Sequence, residues 1–292
     1  MKTTFSLAKS SIADAEPAAG RAFTLVELLA VLAILTLLAL TLVPTLAGSR
    51  TDAKAFVCQN NNRQLCLAWR MYADDNNGRI VYASDDNTAP ANPFNAYAWT
   101  LTHMDFSDNP PNWDPTIDIM TRPLWPYTAK DASVYKCPSD TSAVYANGAM
   151  RPRVRSFSVN FYLGGFAGSY GGNTFAIPYR LFMKTTDLTA PGPANTFVFI
   201  DEAPQAINWG NFLTQMDGYP NQPSLYKFND DFPGTFHNFG ASVSFADGRA
   251  EIHRWVDPRS APQYQYPFPS GTVASPNNAD VAWLQAHATA PR

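Results

Sequence analysis

Three cysteines and one histidine–aspartate pair are the residues of this 292-residue chain whose types could do chemistry. Cys58, Cys66 and Cys137 form no Cys-x-x-Cys pair, so they indicate neither a zinc site nor a thioredoxin-like centre. Cys58 and Cys66 lie eight residues apart on a predicted helix, about 12 Å along its axis, which is too far for a bridge between them. A disulfide would therefore join Cys137 to Cys58 or to Cys66, and three buried thiols are the alternative.

His237 precedes Asp247-Gly248 with nine residues between them. A His–Asp pair could bind a metal or orient a nucleophile. The sequence contains no nucleophile elbow, no HExxH motif and no phosphate-binding glycine loop. Asp247 is accounted for by the tight turn that Asp-Gly favours. We therefore interpret His237 as a structural hydrogen-bonding residue, and predict no catalytic residue, no metal and no cofactor.

The elements that position these residues begin with an apolar N-terminal segment. Residues 23–46 carry one charged side chain, Glu27, and are long enough to span a bilayer as a helix. The basic residues before this segment place its N-terminal end in the cytoplasm. A carboxylate at the edge of such a helix is costly, so Glu27 is expected to have a task. A conventional signal peptide cut after Ala47 is the alternative.

The stretch Arg-Ala-Phe-Thr-Leu-Val-Glu-Leu-Leu, from Arg21 onwards, resembles the processing site of type IV prepilins and type II secretion pseudopilins. The resemblance implies that a prepilin peptidase cuts between Ala22 and Phe23 and that the new amino terminus of Phe23 is methylated. It also implies that Glu27 pairs with the terminal amine of a neighbouring subunit during assembly. Ala22 stands where the family usually has glycine. Pro44 is expected to kink the long helix.

Pieces of the remaining chain also resemble a known family. The spacing of His237 and Asp247-Gly248 is similar to the H-X9-DG domain that accompanies prepilin-type N-termini, and the segments 135–140 and 58–72 match it further. The family's biochemical role is poorly defined, so the resemblance implies pilin-like processing without supplying a reaction.

Patterns in the exported part predict a helix and several strands. One helix face is apolar through Ala55, Cys58, Leu65, Trp69 and Tyr72. Strands are predicted over 154–162 and 196–200. The Asp-Gly turn predicts a hairpin that pairs Phe245 with Ala250 and Val243 with Ile252, which separates an apolar from a polar face. Residues 278–288 form either a short helix or a mobile tail.

The predicted fold class is α+β: a long N-terminal helix, membrane-spanning in its first half and kinked near Pro44, packs on an antiparallel β-sheet with long loops. The predicted organisation is a prepilin leader (1–22), a transmembrane and assembly segment (23–46), the soluble half of the helix (47–75), a β-rich exported domain with the H-X9-DG hairpin (76–256) and an extended C-terminal segment (257–292).

The net charge of −3 and the pI near 5.8 argue against nucleic acid as a main partner. We therefore expect a structural subunit of a type II secretion or type IV pilus-like filament. Its expected partners are the prepilin peptidase, other pilin or pseudopilin subunits and the inner membrane. The expected location is single-pass in the inner membrane, with a cytoplasmic N-terminus and a periplasmic, or filament-borne extracellular, C-terminal domain. A pilin-anchored adhesive or substrate-binding module is the alternative, and a membrane-anchored exported enzyme is disfavoured.

Overall fold

The computed structural model describes residues 24–261 and 271–292, with all side chains in these ranges except those of residues 39–51. The chain divides into two compact units, Met1–Gly48 and Ser49–Arg292. A helical backbone, α1, runs over Leu25–Asp75 and contributes to both units. The second unit also contains the C-terminal helix α2 (Ala279–Ala288), so the helical alternative for the end of the chain is confirmed.

The predicted membrane-spanning helix is wrong for the described chain. In the first unit, helical side chains are described only for Leu25–Leu38, which is 14 residues. None of the helices in the described ranges has both the length and the apolar character needed to cross a bilayer. The predicted fold class, in which the first half of the N-terminal helix spans a membrane, and the predicted single-pass location in the inner membrane are therefore both contradicted.

The second unit is built around one five-stranded sheet. Its spatial order is β5-β3-β4-β7-β8, with β3 parallel to β5 and the other pairs antiparallel. Two short two-stranded ribbons, β1-β2 and β6-β9, stand apart from it. The strands are β1 (Ala143–Ala146), β2 (Ala149–Pro152), β3 (Phe157–Asn160), β4 (Phe197–Asp201), β5 (Asn211–Phe212), β6 (Lys227–Phe228), β7 (Gly240–Phe245), β8 (Ala250–Arg254) and β9 (Val273–Ala274).

Two of these strands confirm sequence predictions. β3 lies inside the predicted strand 154–162, and β4 covers nearly all of 196–200. Every residue of both strands is buried, as expected for the centre of a sheet that is covered on both faces.

The second part of α1 packs on this sheet through the predicted apolar face. Cys58, Leu65, Trp69 and Tyr72 are all buried. Asn62 is also buried, and its Nδ2 donates to the carbonyl oxygen of Ser242 in β7 at 2.9 Å. Asparagine has a low helix propensity, but at this position the Asn62 side chain fastens α1 to the sheet.

The hairpin β7-β8 is confirmed, but its predicted register is wrong by one residue. Ser244 pairs with Ala250 and Val243 with Glu251. Residues 246–249 connect the two strands, and within this turn the Gly248 N–H donates to the Phe245 carbonyl at 2.8 Å. The prediction assumed one apolar and one polar strand face, whereas all of β7 is buried, so alternation carried no information on register.

Candidate functional site

The predicted assembly residue lies in the described part of the first unit. Glu27 is exposed, and its Oε2 accepts hydrogen bonds from the Thr24 backbone N–H at 2.9 Å and from the Thr24 hydroxyl at 2.8 Å. The Glu27 N–H donates back to Thr24 Oγ1 at 3.2 Å. This reciprocal capping box begins α1. The backbone and hydroxyl hydrogen bonds from Thr24 lower the pKa of Glu27, so the carboxylate is charged at neutral pH.

Three other predicted residues cannot be placed in this way. Ala22 and Phe23, which flank the predicted cut, lie outside the described residues. Pro44 lies in helical backbone, but its side chain is outside the described set, so the predicted kink stays a prediction.

The second unit brings four chemistry-bearing side chains together in its core. Cys58, Cys137, Asp201 and His237, hereafter the buried tetrad, have ligand-type atoms that all lie within 4.8 Å of one another. Cys58, Cys137 and Asp201 are 0% exposed and His237 is 3% exposed. The sequence predicted a possible disulfide for Cys58 and Cys137 and a hydrogen-bonding role for His237, but it did not indicate that these residues lie together.

Distances within the buried tetrad are close to van der Waals contact or shorter. Cys58 Sγ lies 3.2 Å from Asp201 Oδ2, and Cys137 Sγ lies 3.3 Å from His237 Nε2. His237 Nε2 lies 3.5 Å from the same Asp201 Oδ2. The four groups thus face a common point, because one nitrogen and one carboxylate oxygen are each shared between neighbours.

Each member comes from a different segment, and local hydrogen bonds fix three of them. Cys58 lies on α1, and Asp201 ends β4, where the Ser242 N–H donates to its Oδ2 at 2.9 Å. Cys137 follows a short 3-10 turn, and its N–H donates to Ser156 Oγ at 2.6 Å. His237 precedes β7, and its N–H donates to the Gly240 carbonyl at 3.1 Å.

Burial and mutual contact shift the ionisation of all four groups. Burial raises the pKa of Asp201 and, together with the neighbouring Cys137 and Asp201, raises the pKa of Cys58 well above its ordinary value. Burial alone would raise the pKa of Cys137, but hydrogen bonds with Cys58 and His237 outweigh it and lower that pKa. Burial opposes the charged form of His237, yet contacts with Asp201 and Cys137 raise its pKa to about 9.

The geometry does not fit a nucleophilic triad. In such a triad the histidine uses one ring nitrogen for the nucleophile and the other for the carboxylate. Here Cys137 and Asp201 both meet Nε2 of His237, while Nδ1 has no hydrogen-bond partner among the described residues. The nucleophile would also be inaccessible, since Cys137 is fully buried. Two thiols, an imidazole and a carboxylate are instead ligand types that a divalent metal accepts.

The cysteines are all free thiols in the structure. Of the two predicted disulfide pairings, Cys137 with Cys58 or with Cys66, the structure brings Cys137 close to Cys58, since both belong to the buried tetrad. Cys66 lies elsewhere: its Sγ donates to the Phe245 carbonyl at 3.0 Å, and burial raises its pKa to about 12. Cys66 therefore behaves as a core residue.

The other half of the H-X9-DG motif is separate from the tetrad. Gly248 has a φ of +97°, which a glycine adopts readily, and the Asp247 Oδ1 accepts from the Arg249 N–H at 3.0 Å. Arg70 of α1 donates to the Asp247 carbonyl. Asp247 and Gly248 thus form the hairpin turn and fasten it to α1.

A surface cleft of about 630 Å³ also lies in the second unit. Its walls combine aromatic rings with carboxylates: Phe166, Tyr170, Trp209, Asp86, Asp230 and Asp231. The cleft is large enough for a small polar ligand.

Comparison with known proteins returned nothing: no family model, no curated protein and no solved structure matches the chain. The resemblance to prepilins and to the H-X9-DG domain therefore rests on the residues quoted above.

Sequence reasoning missed Asp201 as a site residue. It directly follows the predicted strand 196–200 and lies 143 residues from Cys58. Its signal was weak but present, because an acidic residue directly after an apolar run often sits where a strand ends at a site.

Proposed function

We propose that this chain is a pilin-like structural subunit, processed by a prepilin peptidase and assembled with other pilin or pseudopilin subunits. The filament would be of the type IV pilus or type II secretion kind. The observation that carries the proposal is the helical piece Leu25–Leu38, in which Glu27 is the single charged residue. Ten large apolar side chains of this piece are exposed, and their exposed fractions run from 43% for Val31 to 75% for Leu25.

A helix that is apolar around its whole circumference is stable only when other molecules cover it. Each large apolar side chain gains about 1.5–3 kcal/mol on burial, so ten of them supply a strong drive to associate. Copies of the same helix are the partners that the prepilin resemblance implies. In such a bundle a carboxylate must meet a cation, because an unpaired buried charge is costly. The terminal amine left by a cut before Phe23 would provide that cation.

The processing step has a direct test. Amino-terminal sequencing and mass spectrometry of the mature protein should find Phe23 at the terminus, with a methyl group on its amine. A chain that begins at Gly48, or one that keeps its leader, would contradict the proposal.

The assembly step is tested by two variants that separate capping from charge pairing. Glu27→Ala removes the charge and the two hydrogen bonds that the carboxylate accepts, whereas Thr24→Ala removes the two hydrogen bonds of the hydroxyl and keeps the charge. If the charge serves assembly, Glu27→Ala should be made and processed normally but be lost from sheared filaments, while Thr24→Ala should enter them. Equal incorporation of both variants would rule out a role for the charge.

A second candidate function, recognition of a polar ligand, is favoured by the 630 Å³ cleft. Trp209 is half-buried there, its ring is tilted by 41° against that of His103 with centroids 3.7 Å apart, and it meets Phe166 edge-on. Screening the full chain on a glycan array should then find a ligand whose binding is lost in Trp209→Ala. Trp113→Ala, which changes an aromatic residue outside the cleft walls, is the control. An array without signal would remove this candidate.

A further inference from the structure

We infer that the buried tetrad of Cys58, Cys137, Asp201 and His237 is a structural zinc site that fastens α1 to the sheet of the second unit. The inference concerns the stability of this unit and does not depend on filament assembly. It rests on the four side chains, their separations and their burial.

The separations match those of zinc ligands. Zinc bound tetrahedrally at about 2.3 Å from sulfur and about 2.0–2.2 Å from nitrogen and oxygen places neighbouring ligand atoms about 3.4–3.8 Å apart. The observed separations are 3.2 Å from Cys58 Sγ to Asp201 Oδ2, 3.3 Å from Cys137 Sγ to His237 Nε2, and 3.5 Å from His237 Nε2 to Asp201 Oδ2. These three pairs lie within a few tenths of an ångström of the zinc values, and all six pairs lie within 4.8 Å, so zinc binding would draw the remaining pairs together by at most about 1 Å.

The ligand types select zinc among the common metals. Two thiolates disfavour calcium and magnesium, which take oxygen ligands, and one imidazole with one carboxylate completes a four-coordinate set. An iron–sulfur cluster usually takes four cysteine ligands, or two cysteines and two histidines, and this set has two cysteines and one histidine. Zinc binding would release to solvent every proton that the two thiols, the Asp201 carboxyl and the ligating nitrogen of His237 carry, leaving two thiolates, one carboxylate and a neutral imidazole on a dication. The residual single negative charge is met by the Ser242 N–H on Asp201.

The site is closed, so its role is structural. A catalytic zinc keeps one coordination position for water or substrate, whereas a structural zinc takes four protein ligands. Here all four ligands come from the chain, and at least 97% of each residue is shielded from solvent. The ligands also come from four segments that are far apart in sequence: Cys58 is 143 residues from Asp201, and Cys137 is 100 from His237. One ion would therefore close several long loops in a body rich in irregular segments.

The first experiment measures metal in the full chain, expressed in zinc-supplied medium and purified under reducing conditions. Wild type should hold one zinc per chain by plasma mass spectrometry. Cys58→Ser and Cys137→Ser should lower the zinc content at least tenfold. Cys66→Ser is the matched control, because Cys66 is a buried thiol on the same helix but outside the tetrad, and it should keep the ion. A Cys58→Ser variant with wild-type zinc content would overturn the inference.

A second measurement is decided on wild type, and one ligand-exchange variant supports it. Replacing zinc by Co²⁺ in wild type should produce the intense visible bands of tetrahedral cobalt together with a thiolate charge-transfer band. Asp201→His, which exchanges one zinc ligand for another, should keep both bands. Wild type that binds no metal, or whose mass shows two hydrogens lost to a Cys58–Cys137 disulfide, would contradict the zinc site.

Discussion

The helical piece Leu25–Leu38 and the second unit distribute their side chains in opposite ways. The helical piece exposes large apolar side chains and carries one carboxylate, Glu27, which is held by a neighbouring threonine. The second unit buries its apolar residues and, among them, charged groups such as Arg155 and Asp201. The first arrangement needs other molecules to cover it, whereas the second is satisfied by its own contacts. A substitution should therefore affect association in the first region and folding stability in the second.

The largest contrast is expected between two apolar substitutions. Trp69 is fully buried against the sheet, so Trp69→Ala should lower the free energy of unfolding by about 3–5 kcal/mol. Leu32 is half exposed, so Leu32→Ala should change it by less than about 0.5 kcal/mol and should instead reduce filament incorporation. Urea unfolding followed by circular dichroism checks both values. Similar losses of stability in the two variants would break the comparison.

The buried charges of the second unit should be nearly as sensitive. The Arg155 guanidinium is fully buried and donates to the carbonyls of Phe157 and Thr102 at 3.1 and 3.3 Å. It is also the main cation near Glu202, whose pKa burial raises to about 8. Arg155→Met should cost about 3 kcal/mol, because it leaves buried carbonyl acceptors without their donor and Glu202 without its neighbouring cation. The exposed Arg254 is the control, and Arg254→Met should be nearly neutral in the same urea titration.

A smaller effect is expected from pH. Burial, with the neighbouring Glu202 and Asp230, raises the pKa of Asp231 well above its ordinary value of 3.8. Since the folded pKa exceeds the unfolded one, the stabilisation is fully present below about pH 4 and is lost as the pH rises through the folded pKa. Asp231→Asn removes this titration, so its stability relative to wild type should improve between about pH 5 and about pH 9. A constant difference across that range would show that Asp231 is ionised in the folded chain.

The sequence could predict the parts of this molecule that depend on near neighbours. The apolar face through Leu65 and Trp69 and the strands 154–162 and 196–200 follow from short-range periodicity, and the structure bears them out. For residues 278–288 the sequence left a helix and a mobile tail open, and the structure has the helix. The register of the last hairpin failed because β7 is covered on both faces, so that polarity does not distinguish them. The membrane-spanning helix was also predicted wrongly, because among the described residues no helix is both long enough and apolar enough to cross a bilayer.

The buried tetrad could not be predicted in the same way. His237 was singled out by its spacing to Asp247-Gly248, and the cysteines by their type. Nothing local links Cys58 to Asp201, since Cys58 lies on α1 and Asp201 ends β4, 143 residues further along the chain. A metal site can be recognised in a sequence when two of its ligands lie close together on one turn or one helix. Here each of the four ligands lies on a different segment.

The smallest expected effect separates the two halves of the H-X9-DG motif. Gly248→Ala places a Cβ at a φ of +97°, 2.7 Å from the Arg70 guanidinium, and should lower the free energy of unfolding by about 1–2 kcal/mol. Gly148 turns the β1-β2 ribbon at a φ of +75° with open space around it, so Gly148→Ala should carry the backbone strain without the clash. Urea unfolding measures both variants, and equal losses would show that the contact with Arg70 is irrelevant. Because the turn lies apart from the buried tetrad, Gly248→Ala should also keep its zinc, whereas His237→Ala should lose it. A zinc content that fell together in both variants would instead mean that the turn and the histidine act as one unit.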